Sequence, residues 1–300
     1  MLYAKKEEKM MKNNKVLVTG GFGYIGGELI KELQRQDIDY LSVDKLNQPS
    51  PKNLSFNLCE RERTIKVIRD FQPDLLIHCG THSAIAYRDN FFESFKEDFQ
   101  ALVNILEALL TIPNCRLIYF STSYVYSGLP PTIEVNENQP LLPEHNFGIG
   151  KSFFEKFILR NHINSIVFRL SSLFGPGNYL HPNTIFNLAK ECFETNKVTI
   201  WGFGKRMIQY VFMKDVINYI FEAFYISPGI YNLVGDEYIS VANVAKTIAS
   251  FFGGKVVFIK DKPEGETLPF IINNKLKTAS NKNLFTPFST ALTEYFNSIK

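Results

Sequence analysis

Short apolar runs alternate with amphipathic stretches along most of the chain, from residue 15 to about residue 233. The apolar runs predict β-strands at residues 16–18, 40–43, 75–77, 116–120, 165–170 and 230–233. The amphipathic stretches predict helices at residues 24–35, 60–70, 92–110, 148–161 and 214–225. Strands separated by helices of this length form a parallel sheet with helices on both faces. We therefore predict an α/β fold with a doubly wound parallel sheet.

The alternation ends near residues 175–177, where the sequence Gly-Pro-Gly is followed by shorter elements and more prolines. This change predicts a first domain over residues 15–175 and a smaller C-terminal domain over residues 176–209 and 236–300. The helix and strand between about residues 210 and 235 repeat the earlier pattern, so we expect this stretch to rejoin the first domain.

The composition is that of a globular protein, with 300 residues of which 45% are hydrophobic and 21% charged. The 33 basic and 30 acidic residues leave a net charge of +3, which gives no electrostatic case for a nucleic-acid partner. No apolar run reaches the roughly 18 residues that span a bilayer, so no membrane partner is expected. The four cysteines, at positions 59, 79, 115 and 192, have neither zinc nor disulfide spacing. They favour a reducing, cytoplasmic setting without a metal.

The N-terminal residues 1–14 are polar and charged and lack the apolar core of a signal peptide. We predict a flexible tail over these residues. Met10 and Met11 leave a later start of the chain open.

A glycine-rich segment, residues 19–27, joins the first predicted strand to the first predicted helix. Its glycines fit the spacing G-x-G-x-x-G, in which absent side chains allow a tight turn and a close approach of the backbone to a pyrophosphate. The N-terminus of the following helix offers free N–H groups and a partial positive charge to phosphates. The segment therefore predicts a Rossmann-type dinucleotide site. The expected cofactor-binding residues are Gly20, Gly21, Phe22, Gly23, Tyr24, Ile25 and Gly26.

An acidic residue, Asp44, lies 18 residues past Gly26 and just beyond the second predicted strand. A carboxylate at this place accepts hydrogen bonds from the ribose hydroxyls of adenosine and repels a 2′-phosphate. We therefore predict NAD as the cofactor. The adjacent Lys45 carries the opposite charge, so NADP stays possible.

The motif T-G-G-x-G-x-x-G resembles that of the extended short-chain dehydrogenase/reductase superfamily. It resembles in particular that of the NAD-dependent epimerase/dehydratase family, which acts on nucleotide sugars. Further segments are similar to that family in the expected order. They are residues 120–126, Lys151 with Glu155, Arg169 with residues 173–177, residues 201–204 with Tyr210, Val211, Asp215 and Val216, and residues 231–233. The resemblance covers about residues 15–233 and implies an NAD(P)-binding first domain and a substrate-binding second domain.

The resemblance also implies roles for individual residues. Thr122 stands where the family has its catalytic Ser or Thr, and Lys151 where it has the lysine that holds the nicotinamide ribose. Thr122, Ser123 and Arg206 are then expected to contact the substrate, a nucleotide sugar. Arg206 precedes by two residues Ile208, where the family often has an arginine. Its guanidinium could clamp a diphosphate, and a surface position is the alternative.

One departure from the family concerns the tyrosine of its Y-x-x-x-K motif. The residue four positions before Lys151 is Phe147. In the family the phenol exchanges the proton of the sugar hydroxyl, and phenylalanine can neither donate nor accept one. Loss of a positioned acid costs about 10²- to 10⁴-fold in rate. The sequence thus predicts that cofactor and sugar bind while the proton path is cut, unless another group replaces the phenol.

Two residues carry protons that could replace the phenol. Tyr124 follows Thr122 by two residues and is the first candidate, with an aromatic wall of the pocket as its other interpretation. His145 is the second, with an exposed loop residue as the alternative. The dehydratase branch has Asp-Glu directly after its catalytic Thr, where this chain has Ser123 and Tyr124. A 4,6-dehydration is therefore not expected.

Two further features have structural interpretations. His78 and His82 lack acidic or cysteine partners at metal spacing, so we expect a structural role for both. A phenylalanine-rich stripe between residues 91 and 106 follows helical spacing and is expected to be core or subunit interface. In the family that the chain resembles, this helix takes part in a four-helix dimer contact, which implies a homodimer.

Two functions stay open from the sequence. The first is an enzyme, an NAD(P)-dependent nucleotide-sugar epimerase or keto-reductase of surface-polysaccharide synthesis. The alternative is a catalytically impaired protein that binds NAD and a nucleotide sugar without turnover. Phe147 favours the alternative, whereas a replacement acid would favour the enzyme.

Overall fold

The central element of the fold is a sheet of seven strands. The computed structural model describes residues 14–46, 49–178 and 183–298, so the predicted tail lies outside the described residues except for Asn14. The strands of the chain are β1 Val16–Thr19, β2 Tyr40–Asp44, β3 Asn53–Ser55, β4 Leu75–His78, β5 Arg116–Thr122, β6 Glu134–Val135, β7 Ser165–Leu170, β8 Ser172–Phe174, β9 Lys197–Trp201, β10 Met207–Phe212, β11 Gly229–Leu233, β12 Tyr238–Ser240, β13 Lys255–Ile259 and β14 Phe270–Ile271. The large sheet has the order β11-β7-β5-β4-β1-β2-β3, and all its pairings are parallel. The predicted parallel sheet is confirmed.

Helices cover both faces of this sheet. The helices of the described chain are α1 Tyr24–Arg35, α2 Arg61–Phe71, α3 Ala84–Asp89, α4 Phe91–Leu109, α5 Asn146–Asn161, α6 Thr184–Thr195, α7 Met213–Glu222, α8 Val241–Phe252, α9 Asn274–Ser280 and α10 Phe288–Ser298. Alternate residues of β1 belong to different cores: Val16 and Val18 pack with side chains of α1 and α7, and Leu17 with side chains of α2, α4 and α5. The sheet is therefore doubly wound, as the sequence predicts.

A smaller core lies in the C-terminal half of the chain. Strands β8, β10 and β12 form a three-stranded sheet, and β9 pairs in parallel with β13. Their apolar side chains pack with those of α6, α8 and α10. Strand β11 instead pairs with β7 at the edge of the large sheet. The division into a cofactor domain, 15–175, and a substrate domain, 176–209 with 236–300, stays a prediction.

Most predicted elements lie within a few residues of their expected bounds; the helix predicted at 92–110, for example, is α4 Phe91–Leu109. The short helix α3 is a finding that the pattern did not indicate. Ser83 caps it, because its side chain accepts the N–H of Ala86 at 3.3 Å. Six residues are too few for an amphipathic period to appear in the sequence. Within the described ranges, none of the helices has the length and apolar character needed to cross a membrane.

The order of the strands reverses at β1, since β2 lies on one side of it and β4 on the other. In open α/β sheets, ligands bind at such a point, in the crevice at the carboxyl ends of the strands. Four of these ends carry Thr19, Asp44, His78 and Thr122. The fold therefore brings the glycine segment, Asp44 and Thr122 to one edge of the sheet.

Candidate functional site

The glycine segment packs against the end of β2 and against the residues that follow β4. Gly20 directly follows β1 and lies against Gly80, so that a Cβ at Gly20 would be 2.6 Å from the Cα of Gly80. The N–H of Gly20 donates to the carbonyl of Val43 at 2.8 Å, and the N–H of Gly23 to the carbonyl of Gly20 at 3.0 Å. Helix α1 begins at the next residue. Its free N–H groups therefore start at this turn, where an anion can meet them.

A cavity of about 450 Å³ lies over this turn. Of the seven expected cofactor-binding residues of the segment, all of them described, four line the cavity, namely Gly20, Phe22, Gly23 and Tyr24. The cavity continues over the end of β2 and over residues 79–83. Its volume lies in the range of about 300 to 1,000 Å³ that small-molecule and cofactor sites have. The residues present thus fit a dinucleotide.

Asp44 ends β2 and lines the same cavity. Its Oδ2 accepts the N–H of Phe22 at 2.9 Å, and its Oδ1 accepts the N–H of Leu46 at 2.9 Å. These bonds fix the carboxylate at the rim of the cavity and tie it to the glycine turn. Each oxygen keeps a further lone pair with which to accept a hydroxyl proton of a ligand. The neighbouring Lys45 also lines the cavity.

A buried carboxylate, Asp98 of α4, organises the opposite wall of the cavity. It accepts the backbone N–H of His82 at 3.0 Å and the hydroxyl of Tyr87 at 2.9 Å, and its Oδ1 lies 2.8 Å from Nδ1 of His82. Burial opposes the charge of Asp98, but the hydrogen bond from His82 and the positive charge of Lys151 outweigh it and lower the pKa of Asp98. The sequence offers no signal for this cluster, because its members belong to three elements.

The two histidines predicted to be structural have different surroundings. His78 is fully buried, its Nδ1 lies 2.6 Å from Oγ1 of Thr19, and burial lowers the pKa of His78 to about 4. Nε2 of His82 lies 3.4 Å from Oε2 of Glu97, so this ring stands between two carboxylates. Within the described residues, no group of three or more His, Cys, Asp or Glu side chains could hold a metal ion.

Lys151 of α5 is 2% exposed and has three acceptors around its ammonium. Nζ donates to the carbonyl of Phe120 at 2.9 Å, to the hydroxyl of Tyr119 at 3.0 Å and to Oγ1 of Thr81 at 3.1 Å. Burial lowers the pKa of Lys151 to about 8, against the opposing charges of Asp98 and Glu155. Since Thr81 lines the 450 Å³ cavity, its hydroxyl connects the buried cation to that cavity.

Phe147 lies one turn before Lys151 on α5 and is half-buried. Its ring packs edge-on against that of Tyr87, with the centroids 5.4 Å apart. Tyr87 also fills the space beside Gly150, where a Cβ would be 2.6 Å from Cε1 of Tyr87. An open groove of about 510 Å³ borders the ring of Phe147. Tyr124 and His145 line the same groove, so the structure places both candidate replacement acids beside the position of the missing phenol.

Thr122 ends β5, and its Oγ1 accepts the N–H of Tyr124 at 3.2 Å at the start of a short 3₁₀ turn. This bond uses a lone pair of Oγ1 and leaves the hydroxyl proton of Thr122 for donation to an acceptor. The ring of Tyr124 lies 4.7 Å from that of His145, centroid to centroid. Tyr124 also lines a second cavity, of about 70 Å³, together with Thr122, Ser123 and Arg206. The three expected substrate residues therefore meet in one place.

Two motif residues have a structural part in this arrangement. Glu155 of α5 and Arg169 of β7 form a buried ion pair, with Oε2 and Nη2 at 2.7 Å. The hydroxyl of Ser121 donates to Glu155, and Arg169 donates to the hydroxyl of Tyr126 at 2.6 Å. These bonds hold α5, which carries Phe147 and Lys151, against the end of β5, which carries Thr122.

Comparison with known proteins supports the family resemblance that the sequence motifs indicate. The model of the NAD dependent epimerase/dehydratase family matches residues 16–233. Methionine adenosyltransferase 2 subunit beta of Bos taurus is 28% identical over 182 residues, which are 60% of this chain and 53% of that protein. The chain thus spans about half the length of such relatives. A putative UDP-glucose 4-epimerase of Methanocaldococcus jannaschii is 25% identical over 279 residues, 87% of this chain and 90% of that protein.

Solved structures share the fold at low identity. A UDP-glucose 4-epimerase of Thermotoga maritima, solved with UDP-glucose, has a TM-score of 0.84 and 18% identity, and the match covers 95% of this chain and 99% of that one. A UDP-glucose 4-epimerase of Thermus thermophilus, solved with NAD, has a TM-score of 0.81 and 19% identity, over 94% of this chain and 98% of that one.

Proposed function

Because the chain belongs to the NAD-dependent epimerase/dehydratase family, we propose that it is a nucleotide-sugar epimerase or keto-reductase that uses NAD. The observation that carries this proposal is a chain of hydrogen bonds that links the walls of the two cavities. Thr81 lines the large cavity and binds Lys151, and Lys151 binds the carbonyl of Phe120, two residues before Thr122. A ligand along this edge of the sheet would reach from Asp44 to Thr122.

NAD is the cofactor that we propose for the large cavity. When bound, it would take up and return a hydride at a sugar carbon. The glycine turn would hold its phosphates, and the carboxylate of Asp44 would accept ribose hydroxyl protons. Asp44 favours NAD over NADP, and Lys45 is the group that would soften this preference. The NAD complex of the Thermus thermophilus epimerase supports this proposal, as that protein shares the fold.

The substrate that we propose is a nucleotide sugar beside Thr122. The Thr122 hydroxyl would hydrogen-bond the reacting sugar hydroxyl, and the guanidinium of Arg206 would meet the diphosphate. Lys151 would act on the nicotinamide ribose, directly or through the hydroxyl of Thr81 that it holds at 3.1 Å. Tyr124 would carry the proton that Phe147 cannot, because it borders both the Thr122 cavity and the Phe147 groove. UDP-glucose is bound by the Thermotoga maritima epimerase, which makes UDP-sugars the first to test.

A second candidate function is a protein that binds NAD and a nucleotide sugar without turnover. Three observations favour it. Phe147 has no exchangeable proton, and each N–H of the Lys151 ammonium already has an acceptor within the protein. Some relatives are named as a subunit of another enzyme, methionine adenosyltransferase 2.

Three further proposals concern assembly and setting. We propose a homodimer through α4 and α5, because Phe92 is 84% exposed there and Phe153 and Ile149 are also exposed. We propose a reducing, cytoplasmic setting, which the free thiols of all four cysteines support. Surface-polysaccharide synthesis is the process that we propose, since it consumes epimerised nucleotide sugars.

Calorimetric titration with NAD, followed by assays with UDP-, dTDP-, GDP- and CDP-sugars, tests the proposed function. NMR of the sugar products detects epimers, and absorbance at the NADH band detects reduction. Turnover of any of these sugars supports the enzyme. Binding of NAD and of a sugar without turnover supports the second candidate, and failure to bind NAD rejects both.

A further inference from the structure

The cavity beside Thr122 is too small for the proposed substrate. Its volume of about 70 Å³ is well below the roughly 300 Å³ at which ligand sites begin. One wall consists of Glu266, Leu268 and Pro269. These residues belong to a stretch of described chain, residues 263–269, that forms neither helix nor strand. The 263–269 segment therefore closes the Thr122 cavity on one side.

The segment is held by a carboxylate in a ring of backbone N–H groups. The turn between β9 and β10, residues 202–206, has Gly202 at φ 63° and Gly204 at φ 67°. Left-handed residues of this kind turn successive N–H groups toward one point and create an anion site. Glu264 occupies it: Oε1 accepts the N–H of Phe203 at 2.8 Å, and Oε2 accepts the N–H of Arg206 at 2.7 Å. Burial works against the charge, but the N–H groups of residues 203–206 outweigh it and lower the pKa of Glu264.

The surroundings of this turn are those of a site for a multiply charged anion. Arg206, which leaves the turn, lines the Thr122 cavity, and its Nε donates to the carbonyl of Glu266 at 2.7 Å. Lys205 is exposed in the same turn. A single carboxylate thus accepts from the N–H groups of residues 203–206, in a turn that also carries an arginine and an exposed lysine. A diphosphate carries more charge and more acceptor oxygens than that carboxylate, so it can compete for the same groups.

We propose that Glu264 is an internal anion that latches the 263–269 segment over the substrate cavity, and that the diphosphate of a nucleotide sugar opens the latch by displacing it from the 202–206 turn. This inference rests on the proposed function for the identity of the ligand, but the latch itself does not. Arg206 would exchange the carbonyl of Glu266 for phosphate oxygens.

The remaining contacts of the segment fit a part that moves. Glu266 pairs with His145 across the cleft at 2.8 Å, and both side chains are more than a third exposed. Exposed pairs of this kind contribute little to stability. The hydroxyl of Thr267 accepts the N–H of Met207 at 3.2 Å, and the hydroxyl of Tyr238 donates to the carbonyl of Leu268 at 2.5 Å. The last two contacts lie toward β14, so Glu264 anchors the part of the segment that is nearer to β13.

Hydrogen exchange without any ligand tests the latch. In Glu264→Ala the amides of residues 203–206 should exchange at least about tenfold faster than in the parent, because they lose their acceptor. Glu264→Gln keeps the size but loses the charge, and should fall between the two. Asp261→Ala is the matched control, since it removes an exposed carboxylate three residues earlier. Equal exchange in Glu264→Ala and Asp261→Ala would overturn the latch.

Calorimetric titration with UDP and with uridine tests whether the diphosphate displaces Glu264 and opens the latch. If most molecules are latched, removal of Glu264 should tighten UDP binding by at least about fivefold, and by more than it tightens uridine binding. UDP should also speed exchange in the 263–269 segment of the parent. Equal gains for UDP and uridine, or none for either, overturn displacement by the diphosphate. If the amides of Glu264→Ala exchange faster but no variant binds UDP, the latch stands and the proposed nucleotide-sugar function fails.

Discussion

The centroid of the Phe147 ring lies 5.4 Å from Nζ of Lys151, within the distance of about 6 Å at which a cation is attracted to an aromatic face. The sequence resemblance predicts that these two positions correspond to the family's phenol and to the lysine that makes it more acidic. Here the ring can only stabilise the cation. Phe147 therefore offers no proton for exchange beside Lys151.

Restoring the phenol should restore chemistry if proton exchange is what the chain lacks. We expect Phe147→Tyr to raise kcat on a nucleotide sugar or 4-keto sugar by about 10²-fold or more, because Lys151 would favour the phenolate. Steady-state assays of both proteins over the sugar panel measure this. Phe153→Tyr is the matched control, as it adds the same hydroxyl on the same helix at an exposed position. A Phe147→Tyr protein that binds its ligands normally and gains nothing would show that the phenol is not the missing part.

Tyr124 should be the proton donor if the parent protein is active. Tyr124→Phe should then lower kcat by about 10²-fold or more while the affinity for NAD stays unchanged. His145→Gln is the comparison, because its ring contacts that of Tyr124 and borders the same groove. A larger loss in His145→Gln would assign the proton to the histidine, and full activity in Tyr124→Phe would reject the assignment to Tyr124.

The carboxylate of Asp44, at the end of β2, should decide between NAD and NADP. We expect NAD to bind more tightly than NADP, because Asp44 would lie against the added 2′-phosphate. Titration calorimetry with the two nucleotides measures the ratio. Lys45→Ala should increase this preference, since the only change is the loss of a neighbouring positive charge at the cavity rim. NADP binding as tight as that of NAD would reject the role of Asp44.

The stability of the fold should depend on pH because the ammonium of Lys151 is buried. Burial lowers the pKa of Lys151 from 10.5 to about 8. Below pH 8 both the folded and the unfolded chain hold the proton, and burying the charge costs stability. Between pH 8 and pH 10.5 only the unfolded chain binds it, so the cost disappears as the pH rises.

The comparison with Lys151→Met isolates this effect. The free energy of unfolding of the parent minus that of the variant should rise by on the order of 2 to 3 kcal/mol between pH 7 and pH 10. Urea denaturation followed by circular dichroism at several pH values measures the difference. A difference that does not change with pH would mean that Lys151 titrates normally in the fold.

The exposed phenylalanine face should be a subunit contact. We expect a dimer in light scattering after gel filtration, and a shift toward monomer in Phe92→Asp, because a charge would be buried in an apolar interface. Phe193→Asp is the control, since Phe193 is 74% exposed but lies on α6. A monomeric parent, or equal effects of the two variants, would contradict the proposed α4–α5 interface.

The parts of the site that the sequence predicts are those built from residues close together in the chain. The glycine turn between β1 and α1 is such a part, because its spacing and its flanking elements can be recognised in one segment. Thr122, Phe147 and Lys151 were placed through the family resemblance, which the match over residues 16–233 confirms at the level of the family. Their individual roles stay predictions.

The parts that the sequence does not predict depend on contacts across the fold. Asp98 meets His82 and Tyr87 only because α3 folds back on α4, and a six-residue helix leaves no periodic signal. Glu264 reaches the 202–206 turn from a distance of about sixty residues in the chain, and nothing near it in sequence marks it as a ligand. The acceptors of Lys151 come from β5 and from the segment after β4. The sequence around Lys151 therefore does not predict that its charge is buried.

The space that Tyr87 fills beside Gly150 limits the substitutions that this part of α5 tolerates. A hydroxyl at position 147 adds one atom at the edge of a groove, so this change can occur alone. Any side chain at position 150, even that of a serine, would place its Cβ 2.6 Å from Cε1 of Tyr87. Residues in such contact show coupled effects on stability. Tyr87 must therefore shift or be replaced when Gly150 gains a side chain, whereas the change at position 147 makes no such demand.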